Sequence, residues 1–155
     1  MSYYNKLPTS GVAGKHNTGQ IYMDGKGRTK VWAYAAAAAT KNTLYIMDYG
    51  LYGVENLAMA AAATDVNVMV AEKTLSTGEF GWFVVQGEFD VITASDAIAT
   101  VGLAWKIHTD GTALCTDAAA SETAINEFAV GTQVEATGTT HTMYLMGLHN
   151  TVTWS

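Results

Sequence analysis

"STGEFGWFVVQGEFDV", Ser76 to Val91, decides how the rest of the chain is read. Alternate residues sort into two sets. Phe83, Val85, Phe89 and Val91 fall together with Gly87 among them, and Trp82, Gln86, Glu88 and Asp90 fall on the other side, broken only by Val84. A period of two is the period of a strand, whose successive side chains point to opposite faces. The stretch predicts a strand with one face in a core, entered from a turn. Gly87, inside an otherwise regular pattern, predicts a bulge or a close backbone approach. If Phe83 points into the core, its neighbour Trp82 points out of it, and an exposed tryptophan on a β face is an interface candidate.

Outward from this strand, turns and strand-like runs alternate. "QIYM" (20–23) and "RTKVWAY" (28–34) form a predicted hairpin about the turn Asp24–Gly27. "TLYIMDY" (43–49) and "DVNVMVAE" (65–72) read as strands, with "GLYGVEN" (50–56) as a glycine-rich loop. "GLAWKIH" and "TALC" make a hairpin through Asp110–Gly111, with Leu103, Trp105 and Ile107 on one face. "NEFAVGTQVEA" (126–136) and "HTMYLMGL" (141–148) are the last two strands, joined by a turn at "TGTT" (137–140). The alanine run Ala35–Ala39 suits a helix by propensity but is too short for a stable one. "NLAMAAAATD" (56–65) reads as one short helix with Asn56 as its N-cap. About eight short strands with evenly spaced turns predict an all-β fold, a small barrel or sandwich. Residues 1–19 are polar, carry Pro8 and three glycines, and lack either periodicity, so they read as an extended N-terminal arm; residues 20–155 read as a single domain.

Charge is scarce and unevenly placed. Only 14% of residues are charged, against about 25% in ordinary soluble domains. Residues 1–41 hold six cations and one acid, a net +5, whereas residues 42–155 hold two cations and thirteen acids, a net −11. Two readings follow: the basic start docks on its own acidic body, or it reaches an acidic surface of another subunit. Lys6, Lys15, Lys26, Arg28 and Lys30, with Tyr3 and Tyr4 near the tip of the arm, are the candidate contact residues, together with Trp82. Nucleic acid is a poor partner for a body of this sign. The longest apolar run, Val31–Ala39, is far shorter than the roughly 20 residues of a membrane helix, and the first residues lack the apolar stretch of a signal peptide. No membrane partner and synthesis in a cytoplasm are therefore expected.

Searches for chemistry return nothing. P-loop, G-x-S-x-G, H-E-x-x-H and G-x-G-x-x-G patterns are absent. His16, His108, His141 and His149 have no metal spacing, and His141 runs in step with Met143 and Leu145, which suits a structural histidine better than a ligand. Glu88 and Asp90, two apart on one face, suit a solvated face or a basic neighbour better than a cation. Cys115 is the single cysteine, so there is no internal disulfide, and it reads as a buried, inert thiol. The expectation is a protein that is not an enzyme and needs no cofactor or metal.

From Val66 to Leu148 the order of motifs resembles the capsid decoration (cement) proteins of tailed bacteriophages. The resemblance rests on Gly78, Glu79, Phe80, Gly81, Trp82 and Gly87 in the central strand, then Asp110, Gly111 and Thr112 in the hairpin. Ala129, Gly131, Glu135 and Ala136 complete it. It implies a small β-barrel of the β-tulip type with an N-terminal arm, placed on the outer surface of an expanded icosahedral capsid. It further implies contact with the major capsid protein, bridging of neighbouring capsomers, and a homo-oligomer, with a trimer favoured. The alternative is a glycan-binding or adhesion module on a virion surface, using aromatic side chains as stacking platforms.

Overall fold

The computed structural model describes residues 10–11, 19–48, 53–56, 68–98, 101–102, 104–107, 113–115 and 127–146. Within them lie eleven strands and no helix: β1 (Ser10–Gly11), β2 (Ile21–Met23), β3 (Thr29–Ala35), β4 (Leu44–Asp48), β5 (Gly53–Asn56), β6 (Val68–Ala71), β7 (Phe80–Ile98), β8 (Ala104–Ile107), β9 (Ala113–Cys115), β10 (Glu127–Gly131) and β11 (Glu135–Met146). The predicted helix at 56–65 falls outside the described residues except for Asn56, which closes β5.

The quoted stretch becomes β7, a 19-residue strand that organises the molecule. Its first part, Phe80–Gln86, pairs antiparallel with β3, and Phe83 and Val84 also pair with β6. Its second part, Gln86–Ile98, pairs antiparallel with β11, and Thr93 meets Ala113 of β9. Gly87 sits where the partners change. Its φ is +104°, and a Cβ there would lie 3.0 Å from the Cα of Arg28, so the predicted close approach is present and requires glycine. The β3–β7 register slips beside it: Thr29 pairs with Gln86 but Lys30 with Val84, leaving Val85 as an extra residue in β7.

The all-β class is as predicted, but the strands do not close into one barrel. The order is that of an open eleven-stranded sheet, largely antiparallel, folded back onto β7 at both ends. From the first part of β7 the pairings run through β6, β4 and β5 to β3 and return to β7. From the second part they run through β9, β8, β10 and β11 and return. A single ring of short strands has been replaced by two circuits that share one long strand, because β7 is long enough to exchange all its neighbours at Gly87.

Two further details differ from the sequence reading. "GLYGVEN" is not wholly loop, since Gly53–Asn56 pairs with β4 and β3. "TGTT" lies inside β11 as two register irregularities, and the turn between the last strands is Thr132–Val134. Both follow from tertiary pairing, which outweighs the local turn preference of Gly and Thr. The β2–β3 turn at Asp24–Gly27 and the pairing of β8 with β9 are as predicted.

The core of the first half is built from Val31, Ala33, Ala35, Ala39, Tyr45, Met69, Ala71, Leu75, Phe83 and Val85. Phe83 is fully enclosed, with the Tyr45 ring edge-on at 6.1 Å. Gly81 belongs to the same packing, since a Cβ there would fall 2.6 Å from Leu75 Cδ1. The alanine run serves this core without forming a helix: Ala35 ends β3, and Ala39 bridges Leu75 through two backbone hydrogen bonds of 2.9 and 2.8 Å. The turn that launches β7 is held by Glu79, whose carboxylate accepts the Ser76 N–H at 2.7 Å, and Gly78 (φ +89°) donates its N–H to the Ala35 carbonyl. In the second half Ala129, His141, Met143 and Leu145 are buried, so His141 does lie in step with Met143 and Leu145.

Candidate interaction surface

The alternation places Trp82 on the face opposite Phe83, as read from sequence, yet that face is covered as well. Trp82 is 5% exposed and lies 5.1 Å edge-on from Trp32 and 5.8 Å from Tyr22. Leu44, Val70 and Val84 on the same side are also buried. An alternating pattern reports which residues share a face and is silent on what packs against it. The exposed interface tryptophan expected from the sequence is therefore a core residue.

The candidate basic residues divide in a similar way. Tyr3, Tyr4, Lys6 and Lys15 lie outside the described residues. Lys30 is buried and Arg28 half-buried, and both are committed inside the chain. Arg28 Nη2 lies 2.6 Å from Asp24 Oδ2 and its Nε donates to the same oxygen at 2.8 Å. Lys30 Nζ lies 3.1 Å from Asp24 Oδ2 and closer still to Glu72 Oε1. The Arg28 guanidinium also rests over the Phe89 ring, 5.3 Å from its centre. At these two positions the basic start does dock on its own acidic body. Glu72 was missed from sequence because it follows β6, far along the chain, and only the pairing of β3 and β6 with β7 brings it beside Lys30. Lys26 is exposed at the tip of the turn; its backbone N–H donates to Asp24 Oδ1 at 2.9 Å, and among the described residues its ammonium has no ion-pair partner.

Beside this ion cluster, at the change of partners along β7, opens a cleft of about 370 Å³ lined by Lys26, Arg28, Glu88, Phe89, Asp90 and Thr142. Glu88 and Asp90 are exposed on its wall. Asp90 Oδ1 accepts the Thr142 hydroxyl at 2.8 Å, and among the described residues neither carboxylate has a cation within ion-pair distance. Among those residues no three His, Cys, Asp or Glu side chains converge as metal ligands.

A second polar assembly closes the β10–β11 turn. Glu135 Oε1 accepts from Gln133 Nε2 at 2.7 Å and from the Thr142 N–H at 3.2 Å, and its Oε2 meets Nδ1 of the buried His141 at 2.6 Å. Burial works against the Glu135 charge, but hydrogen bonds from Gln133, His141 and Thr142 outweigh it and hold its carboxyl below the usual range. Asp24 behaves alike: burial opposes its charge, and hydrogen bonds from Arg28, Lys30 and Lys26 depress its carboxyl far below the usual range.

Both carboxylates thus have folded-state values below their unfolded ones. Each contributes stability that is full above the unfolded value, about 4, and is lost as pH falls from there through the folded value. The urea midpoint should therefore fall between pH 6 and pH 3, and Glu135→Gln should lower it at pH 6 while shrinking the fall. A midpoint that is flat over this range would contradict the assignment.

No protein-family model matches the chain, and no curated protein does. Among solved structures it is similar to the head fiber gp8.5 N base of bacteriophage phi29. The identity is 19% over 76% of this chain and 93% of that one, with a TM-score of 0.47. A likeness of that size carries no argument about what this chain does.

Proposed function

We propose that the chain is a non-enzymatic virion protein of a tailed bacteriophage, located on the outer surface of the expanded capsid. There it binds the major capsid protein and stabilises the shell by bridging neighbouring capsomers, as a homo-oligomer with a trimer favoured. One observation carries the reading: residues on which the resemblance to capsid decoration proteins rests stand at the joints of the fold. Gly78 and Gly87 hold positive φ, Gly81 makes room for Leu75, and Glu135 ties the β10–β11 turn. Residues placed where few others fit are the ones a shared architecture retains, so the motif supports kinship of fold first and role second. Of the aromatics that a glycan-binding alternative would use, Trp32 and Trp82 are both buried, whereas Tyr144 is exposed.

Co-sedimentation with undecorated expanded shells tests the proposal. The full chain is expected to bind saturably, and removal of residues 1–19 is expected to weaken binding at least tenfold, as an arm spanning two subunits contributes through effective concentration. Binding that survives the deletion moves the contact to the β body, and absence of binding to the cognate expanded shell rejects the role.

A further inference from the structure

The 370 Å³ cleft brings together polar groups that the fold leaves uncommitted. The pairing of β3 with β7 ends at Thr29 and Gln86, and Arg28, just before Thr29, lines the cleft, so the cleft opens on the β3 side of β7. The next described contact on that side is the Ile92 N–H donated to the Asn42 carbonyl at 2.7 Å. Between them, Glu88, Phe89 and Asp90 pair with β11 and, among the described residues, with no strand opposite. Backbone groups alternate in direction along a strand, so the N–H and C=O of Glu88 and Asp90 point, like the Ile92 N–H, to the cleft side. Among the described residues the Glu88 carboxylate and the Lys26 ammonium have no partner, and Asp90 is engaged only through Oδ1, by the Thr142 hydroxyl. On the other side of β7, Tyr144 pairs directly with Glu88 and so shares its face. Tyr144 is 41% exposed, and among the described residues its hydroxyl makes no hydrogen bond and its ring has no aromatic neighbour.

We propose that this surface binds a saccharide, with one pyranose ring seated in the cleft and the next laid on the Tyr144 ring. The lining sets the class of ligand. A metal ion needs more ligands than two, and among the described residues no three His, Cys, Asp or Glu side chains converge. An anion would meet two carboxylates against one uncommitted ammonium, because Arg28 and Lys30 are already held by Asp24 and Glu72. An apolar ligand would strip water from all these groups and return no hydrogen bonds. A sugar hydroxyl both donates and accepts, so it serves Glu88 and Asp90 as a donor and Lys26 and the strand N–H groups as an acceptor. The C–H face of a pyranose packs on an exposed aromatic ring. The cleft volume falls within the range of about 300–1,000 Å³ usual for small-ligand sites. Adjacent strands lie about 4.8 Å apart, so the cleft on one side of β7 and Tyr144 on the other are about 10 Å apart, a distance that two linked rings cover. The net negative lining selects neutral or amine-bearing sugars over acidic ones. The inference goes beyond the capsid role and stands independently of it.

The test applies the labelled full chain to an array of immobilised neutral, amine-bearing and acidic oligosaccharides, followed by titration calorimetry with the strongest binder. Dense display on the array amplifies a weak single-site affinity. Saturable binding to neutral or amine-bearing members is expected, with none to the acidic ones. Tyr144→Ala and Glu88→Gln should each weaken it at least about tenfold, and Tyr144→Phe, which keeps the ring, should lose less than Tyr144→Ala. Both positions are exposed, so circular dichroism and the urea midpoint should match the parent; Glu88→Gln also keeps the side-chain shape and carries the test if the alanine variant folds poorly. Absence of binding across the array, binding to acidic sugars alone, or an affinity unchanged in folded Tyr144→Ala or Glu88→Gln would each overturn the proposal.

Discussion

Gly87→Ala is expected to cost about 3 kcal/mol of folding stability, read as a fall in the urea midpoint by circular dichroism. Two penalties add. A φ of +104° is a conformation that L side chains rarely adopt, worth about 1–3 kcal/mol. The new methyl also meets backbone, the Arg28 Cα at 3.0 Å, which cannot move aside as a side-chain tip can. The matched control is Gly25→Ala, where no atom lies within 4 Å and φ is not positive, with a change within about 0.5 kcal/mol. Because Gly87 lies at the joint of both pairing circuits, the whole unfolding transition should shift. Loss of one half at an unchanged midpoint for the other would show that the circuits are independent.

Trp82→Ala is expected to cost about 3–5 kcal/mol, the range for emptying a buried aromatic site, and so to act on folding before any assembly is measured. The side chain packs against Trp32 and Tyr22 and is 5% exposed. Trp82→Phe keeps most of the volume and should cost less than half as much. Equilibrium denaturation with the tryptophan signal and circular dichroism in parallel checks both. An alanine variant as stable as the parent but poorer in assembly would return Trp82 to the surface role first read from its sequence neighbours.

How far the sequence could be read depended on the range of each interaction. Period two across Ser76–Val91 was enough to find β7, and an isolated glycine in that pattern was enough to locate its joint, because both are local signals. The hairpin turn at Asp24–Gly27 was legible for the same reason. The covering of Trp82 and the pairing of Lys30 with Glu72 were not, since each depends on strands brought together from distant parts of the chain. The same limit made a charge count misleading in detail. Arg28 and Lys30 contributed to a basic N-terminal excess, yet the fold neutralises both at once through Asp24 and Glu72. Glu88 and Asp90 stand out as a pair in the sequence, but the cleft beside them lies where the pairing of β3 with β7 ends, at Thr29 and Gln86. The single-barrel prediction failed on length: a run read to Val91 continues to Ile98, and those extra residues carry the pairing with the start of β11.

The long shared strand also sets a timetable for a chain emerging from the ribosome. β3 is made early, but its partner residues on β7 follow only much later, Phe80 for Tyr34 and Gln86 for Thr29. At about 5–20 residues per second the delay is several seconds. The second half repeats the wait, since β7 must stand until β11 delivers Met143 and Leu145 to Phe89 and Gly87. Twice during synthesis a β-rich nascent chain therefore presents unpaired edges, and a slower ribosome lengthens both waits.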